Sequence, residues 1–149
     1  MSNAAPGRAP VAGAGVVCFR AADVLLVKRG KAPLAGRWSI PGGLIEWGER
    51  AADAALRELM EETGCAADLI GLVDVVDALL TNSGAETAPT PWAHYVLIDY
   101  AARWVSGEPR AGDDASEARF FSPEELAGLG LWSETLRVIE AARVMVSPR

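Results

Sequence analysis

Residues 43–65, GLIEWGERAADAALRELMEETGC, constrain this chain more than any other stretch of it. They follow a Pro41-Gly42-Gly43 turn signal. Residues 50–63, rich in Ala, Leu and Glu, then predict a helix, and Gly64 supplies its stop. Glu58, Glu61 and Glu62 stand at i, i+3 and i+4, so their carboxylates project from one face. Ala52, Leu56, Leu59 and Thr63 form an adjoining stripe that can pack on a core. The acidic face is locally unfavourable, since like charges at this spacing cost about 0.2–0.5 kcal/mol per pair. Glu61 and Glu62 also occupy the last turn, where the helix dipole favours cations. Arg57 relieves part of the repulsion by pairing with Glu61 at i+4, and a hard divalent cation would relieve far more. The plain alternative is a solvated acidic face on a surface helix.

The gaps decide between these two readings. Gly43 is followed by five residues and Glu49, then seven residues and Arg57-Glu58-Leu59, then one residue and Glu61-Glu62, then one residue, Gly64 and Cys65. This pattern resembles the Nudix box, the signature of hydrolases acting on nucleoside diphosphates linked to another moiety. Cys65 departs softly from the aliphatic residue usual there, and a small buried thiol packs in a similar way. Trp38-Ser39-Ile40-Pro41-Gly42-Gly43 also fits the W-x-x-P-G-G entry common before the box. The resemblance implies Mg²⁺ as cofactor, with Mn²⁺ as a substitute, held chiefly by Glu58 and Glu62 with Glu61 assisting. It further implies that the carbonyl of Gly42 completes the shell, and that Gly43, Glu49, Arg57 and Gly64 are structural within the motif. The implied fold is an α+β chain, an α/β/α sandwich with a mixed β-sheet flanked by helices.

Composition agrees with that chemistry. A chain of 149 residues suits one domain with a sizeable core, here residues 11–149, preceded by a disordered leader over residues 1–10. No apolar run approaches the eighteen or so residues that span a bilayer, so no membrane partner is expected. A net charge of −6 argues against a nucleic-acid polymer as partner, and an anionic substrate would need a cation bridge. Cys18 and Cys65 lack metal-site spacing and read as reduced thiols of a cytoplasmic protein.

Along the chain, residues 11–20 and 23–29 predict an antiparallel strand pair, residues 67–80 and 92–105 two longer strands, and 117–121 a short one. Residues 81–91, polar and rich in turn formers, predict a loop long enough for a lid or a dimer element, which leaves a homodimer open. Ser122, followed by Pro123, caps a short helix that Gly128 and Gly130 end, and Ser133 caps a final helix over 133–146.

Outside the box the candidates are fewer. A general base or further ligand is expected in the loop carrying Asp113, Asp114 and Glu117; Asp114 and Glu117 join the glutamates as catalytic candidates. Arg29 and Arg37 are candidates for phosphate contacts and Trp47 for stacking a base. His94 reads as a strand residue. Within the family, residues 94–126 look most like small bacterial ADP-ribose pyrophosphatases. The expected function is therefore Mg²⁺-dependent cleavage of a nucleotide-derived pyrophosphate such as ADP-ribose. The alternatives are a sanitiser of oxidised nucleoside triphosphates and a non-catalytic ligand-sensing module.

Overall fold

The computed structural model describes residues 9–31, 34–81, 84–85 and 91–147. Its centre is Val11–Arg20 (β1), a run of small and branched residues that is buried on both faces. Asp23–Arg29 (β2) returns antiparallel to it, but the two strands pair only at Phe19↔Val24 and Arg20↔Asp23. They then part. Trp38–Ser39 (β3) pairs with β2, and Gly42–Leu44 (β4) takes the edge that β2 leaves on β1, with Gly15 opposite Gly42 and Ala14 opposite Gly43. The box turn is thus fastened directly to the central strand.

Ala51–Thr63 (α1) follows β4, and Gly64 ends it in the left-handed conformation, φ 73°. Ala66–Thr81 (β5) runs antiparallel to Ala93–Ser106 (β7), and β7 lies parallel to β1 on the edge away from β4. Gly84–Ala85 (β6) turns back on the end of β5. Ala115–Phe121 (β8) covers the free edge of β2. Pro123–Gly128 is a 3-10 turn and Ser133–Val146 (α2) the last helix.

Alternation along β1 divides the core. Ala14, Val16 and Cys18 meet Ala54, Ala55 and Leu59 of α1; Val17 and Phe19 meet Val138, Ile139 and Ala142 of α2. The sheet is mixed and covered on both faces, the α/β/α sandwich expected from the sequence. Leu59 is fully buried. Truncating such a leucine costs about 2–5 kcal/mol, several times the repulsion per pair of glutamates. Packing therefore holds α1 in place despite its acidic face.

Four local expectations are corrected. The buried stripe of α1 is Ala54, Ala55, Leu59 and Thr63; Ala52 and Leu56 are only half-buried, because the helix is rolled so that Glu58 and Glu62 also turn inward. Ser133 is the first residue of α2 rather than its cap, and Trp132 holds the extended cap position without a side-chain hydrogen bond. The segment Pro123–Gly128 is 3-10 rather than α, and a capping box of Ser122 and Glu125 caps its N-terminus. Within the predicted loop 81–91, Gly84 and Ala85 pair with Thr81 and Leu80. Residues 82–83 and 86–90 of that loop, Ala32-Pro33 and most of the leader lie outside the described residues.

Candidate active site

The site grows from the Pro41-Gly42-Gly43 turn. A methyl group on Gly42 would lie 2.6 Å from Ala14 O and 2.9 Å from the Cα of Gly15, so the turn reaches β1 only as glycine. A methyl group on Gly43 would fall on the carboxyl of Glu58. That glycine makes the seat into which Glu58 folds. Gly42 N–H donates to Glu62 Oε1 at 2.8 Å, so the last turn of α1 and the turn before β4 are joined through one carboxylate.

Arg57 ties the loop to the helix. Its Nε and Nη2 donate to Glu49 at 2.7 and 2.9 Å, a two-pronged contact, and Nη2 also donates to Leu44 O at 3.0 Å. Nη1 reaches Glu58 at 2.8 Å and Glu61 at 3.1 Å. The fork of Arg57 and the backbone N–H of Glu46 draw the Glu49 carboxyl down to about 2. Arg57 thus restrains three of the acidic side chains of the box, while Glu62 is left to the backbone.

Burial drives the electrostatics of the other two acids. It pushes Glu62 up to about 7, the charge of Glu58 adds to the rise, and the Gly42 N–H and Arg29 oppose it. Glu58 is also raised by burial, against the pull of Arg57, with Glu61 and Asp113 adding to the rise. Both carboxyls are therefore more readily protonated than a free glutamate, which a nearby cation would reverse. The donor chemistry fits a hard divalent ion, being all oxygen and all excess negative charge. With the side chains as placed, no group of three His, Cys, Asp or Glu residues converges as a metal site among the described residues; Glu58 and Glu61 turn to Arg57.

The remaining candidates separate. Arg29 ends β2 with its Nε buried and without a hydrogen-bond partner, and its charge reaches both Glu62 and Asp114. Arg37 is exposed on the loop before β3. Trp47 is fully exposed in the loop between β4 and α1. Asp114 is engaged by Lys31 at 2.8 Å, which holds it below the usual carboxylate range. Glu117 stands opposite Lys28, in register with Leu26 and Arg119, and so faces α2 rather than the box helix. Asp113 has a positive φ of 48° and is the loop acid whose charge raises both Glu58 and Glu62. The loop is locked to the helix end, with Arg110 N–H on Thr63 O and Gly112 N–H on Glu62 O, both at 3.0 Å. Sequence reasoning gives one further acid no functional role. Asp99 is 6% exposed in the middle of β7, and its only signal is an aspartate inside the apolar run VLIDYAA.

The chain matches the NUDIX domain family over residues 9–142. An ADP-ribose pyrophosphatase of Methanocaldococcus jannaschii is 36% identical over 115 residues, which is 76% of this chain and 62% of that protein. A Mycobacterium tuberculosis protein that carries an 8-oxo-dGTP diphosphatase name is 38% identical over 95 residues, 63% of this chain and 61% of that one. Both matches span less than two thirds of the relative's length. Among solved structures, a MutT NUDIX hydrolase from Burkholderia pseudomallei superposes with a TM-score of 0.74 at 31% identity, covering 90% of this chain and 98% of that one.

Proposed function

Since this chain belongs to the Nudix family, we propose that it is a divalent-metal-dependent hydrolase of a nucleoside diphosphate linked to another moiety, with ADP-ribose or a related nucleotide sugar as substrate. The observation that carries this reading is the seating of Glu58 on Gly43 and of Glu62 on the Gly42 N–H, which brings two half-buried carboxyls to one glycine turn. We assign Glu58 and Glu62, with Glu61 and the Gly42 carbonyl, to a Mg²⁺ or Mn²⁺ ion. Such an ion supplies charge neutralisation at the phosphates and a more acidic water.

The chain's own residues do the rest. Arg57 and Glu49 hold the loop against α1 so that the glutamates keep their places. Arg29 presents an unpaired, buried Nε on the side of Glu62, suited to a phosphate oxygen. Arg37 and Trp47 are exposed and free to meet the outer parts of the substrate. We assign the proton-accepting role in this loop to Asp113 ahead of Asp114 and Glu117, a choice supported by its charge acting on Glu58 and Glu62, by the Lys31 contact of Asp114 and by the register of Glu117. Residues 11–149 are taken as one catalytic domain, and two buried free cysteines support a cytoplasmic location.

The test is release of nucleoside monophosphate from a panel of ADP-ribose, nucleotide sugars and oxidised nucleoside triphosphates, with Mg²⁺, with Mn²⁺ and with excess chelator. Metal-dependent cleavage of ADP-ribose is the expected outcome. Full turnover in chelator would remove the metal. Preference for the triphosphates would favour the sanitiser reading, whose support is the name carried by the M. tuberculosis relative. Tight binding without any turnover would leave a sensing module.

A further inference from the structure

On the α2 face of the sheet, behind the turn that leads into the box, a carboxyl group lies buried without a partner. Asp99 is 6% exposed, and no hydrogen bond from a described residue reaches its side chain. The charges that act on it are Asp74 and Arg137. Arg137 is committed elsewhere, to Asp74 and Glu134, at 2.9 Å each. Buried polar groups in folded proteins are hydrogen-bonded in the great majority of cases, and a buried acid left alone is costly. Burial, with the charge of Asp74 adding, pushes the Asp99 carboxyl up to about 6.

Its position gives that cost a purpose. Asp99 is opposite Gly15 in the β1–β7 register, and Gly15 is opposite Gly42 in the β1–β4 register. Asp99, Gly15 and Gly42 therefore form one row across the sheet, and Gly42 N–H holds Glu62. A methyl group on Gly15 would lie 2.6 Å from Asp99 Oδ1 and 3.0 Å from Ile40 Cδ1. The acid thus leans over a glycine floor toward the box turn. Ile40 meets it over Gly15 and Leu97 precedes it on the same face of β7, while Asp74, which accepts from Arg137, stands opposite it on β5. An apolar flank and one acid without a hydrogen bond suit the polar edge of a flat heterocycle.

We propose that Asp99 is a specificity-determining residue that accepts a hydrogen bond from an amino group on the substrate's nucleobase, in a subsite formed with Ile40 and Leu97. The assignment rests on the nucleotide-hydrolase reading for the phosphate end, and it concerns the end that reading leaves open. A nucleobase without the amino group leaves the acid as it is now, buried and unpaired, so discrimination is built in.

Binding tests this without turnover. Affinities of AMP, GMP and purine riboside 5′-monophosphate, which has the ring and phosphate but no amino group, are measured by calorimetry on the full chain with Mg²⁺. The better amino-bearing nucleotide should bind at least about tenfold tighter than purine riboside monophosphate, the gain of one hydrogen bond to a charged group. Asp99→Ala should shrink that ratio to about twofold while leaving the amino-free nucleotide's affinity within about threefold. Asp99→Asn keeps the shape and one acceptor oxygen and should give an intermediate ratio; it decides the matter if the alanine variant does not fold. Equal wild-type affinities, no nucleotide binding at all, or equal weakening of all three ligands overturns the subsite. If the ratio behaves as expected while the panel shows no hydrolysis, the subsite stands and the hydrolase reading falls. If hydrolysis is present and the ratio ignores Asp99, the reverse holds.

Discussion

Glu62 and Asp99 lie on either side of the Gly15–Gly42 pair, and both are pushed toward protonation chiefly by burial. Their surroundings differ. Glu62 accepts the Gly42 N–H, feels Arg29, and sits beside a network in which Arg57 restrains Glu49, Glu58 and Glu61. Asp99 lies opposite Asp74 on β5 and accepts no hydrogen bond, since Arg137, whose charge acts on it, donates to Asp74 and Glu134. The α1 side ties its acids to one guanidinium and a glycine turn; on the α2 side Asp99 is buried without such a tie. On the function and subsite proposed above, the two sides divide two tasks, anchoring phosphates and reading what is attached to them.

The largest expected effect breaks the α1 side. Glu62→Gln and Glu58→Gln should each lower kcat for ADP-ribose by about two to four orders of magnitude, the several kcal/mol a metal contributes. Their thermal midpoints should hold or rise, because a repulsive charge is removed. Near-native kcat in both would place the chemistry elsewhere.

A second test uses stability on the α2 side. The folded pKa of Asp99 is raised, so its neutral form stabilises the fold below about pH 4, and that contribution is lost as pH climbs through about 6. Asp99→Asn is neutral throughout. It should exceed wild type in urea denaturation at pH 8 by up to roughly 3 kcal/mol, with the gap closing as pH falls from 6 to 4. A gap of the same size at pH 4 and pH 8 would show that the carboxyl is not desolvated.

Gly43→Ala sharpens the comparison by displacing Glu58 without touching its charge, since the added methyl falls on the carboxyl. A shift of that kind should cost about a hundredfold in kcat with little change in the melting temperature. Unchanged kcat would mean that Glu58 need not occupy that seat. The smallest expected effect is in the loop. Asp113→Asn should lose about tenfold in kcat as a modest proton acceptor, while Asp114→Asn and Glu117→Gln stay within about twofold. Equal losses in all three would return the loop to a purely structural role.

Much of this is legible in the sequence. The i, i+3, i+4 spacing of Glu58, Glu61 and Glu62 is a property of helix geometry, and the gaps from Gly43 to Gly64 are a property of the chain alone. Apolar runs at 11–20 and 67–80 likewise announced strands, because period and β-branching are local signals. What tertiary structure decided is where each face points. Only packing shows that α1 is rolled onto Ala54 and Ala55, which draws Glu58 and Glu62 inward and raises both. Only the register of β8 on β2 turns Glu117 toward α2, and only the closure of the 107–114 loop brings Asp113 rather than Asp114 into the field of the box. Asp99 is the clearest case. Its burial depends on β7 lying parallel to β1, a pairing between segments some eighty residues apart, and no local pattern records which distant glycine a side chain will cover.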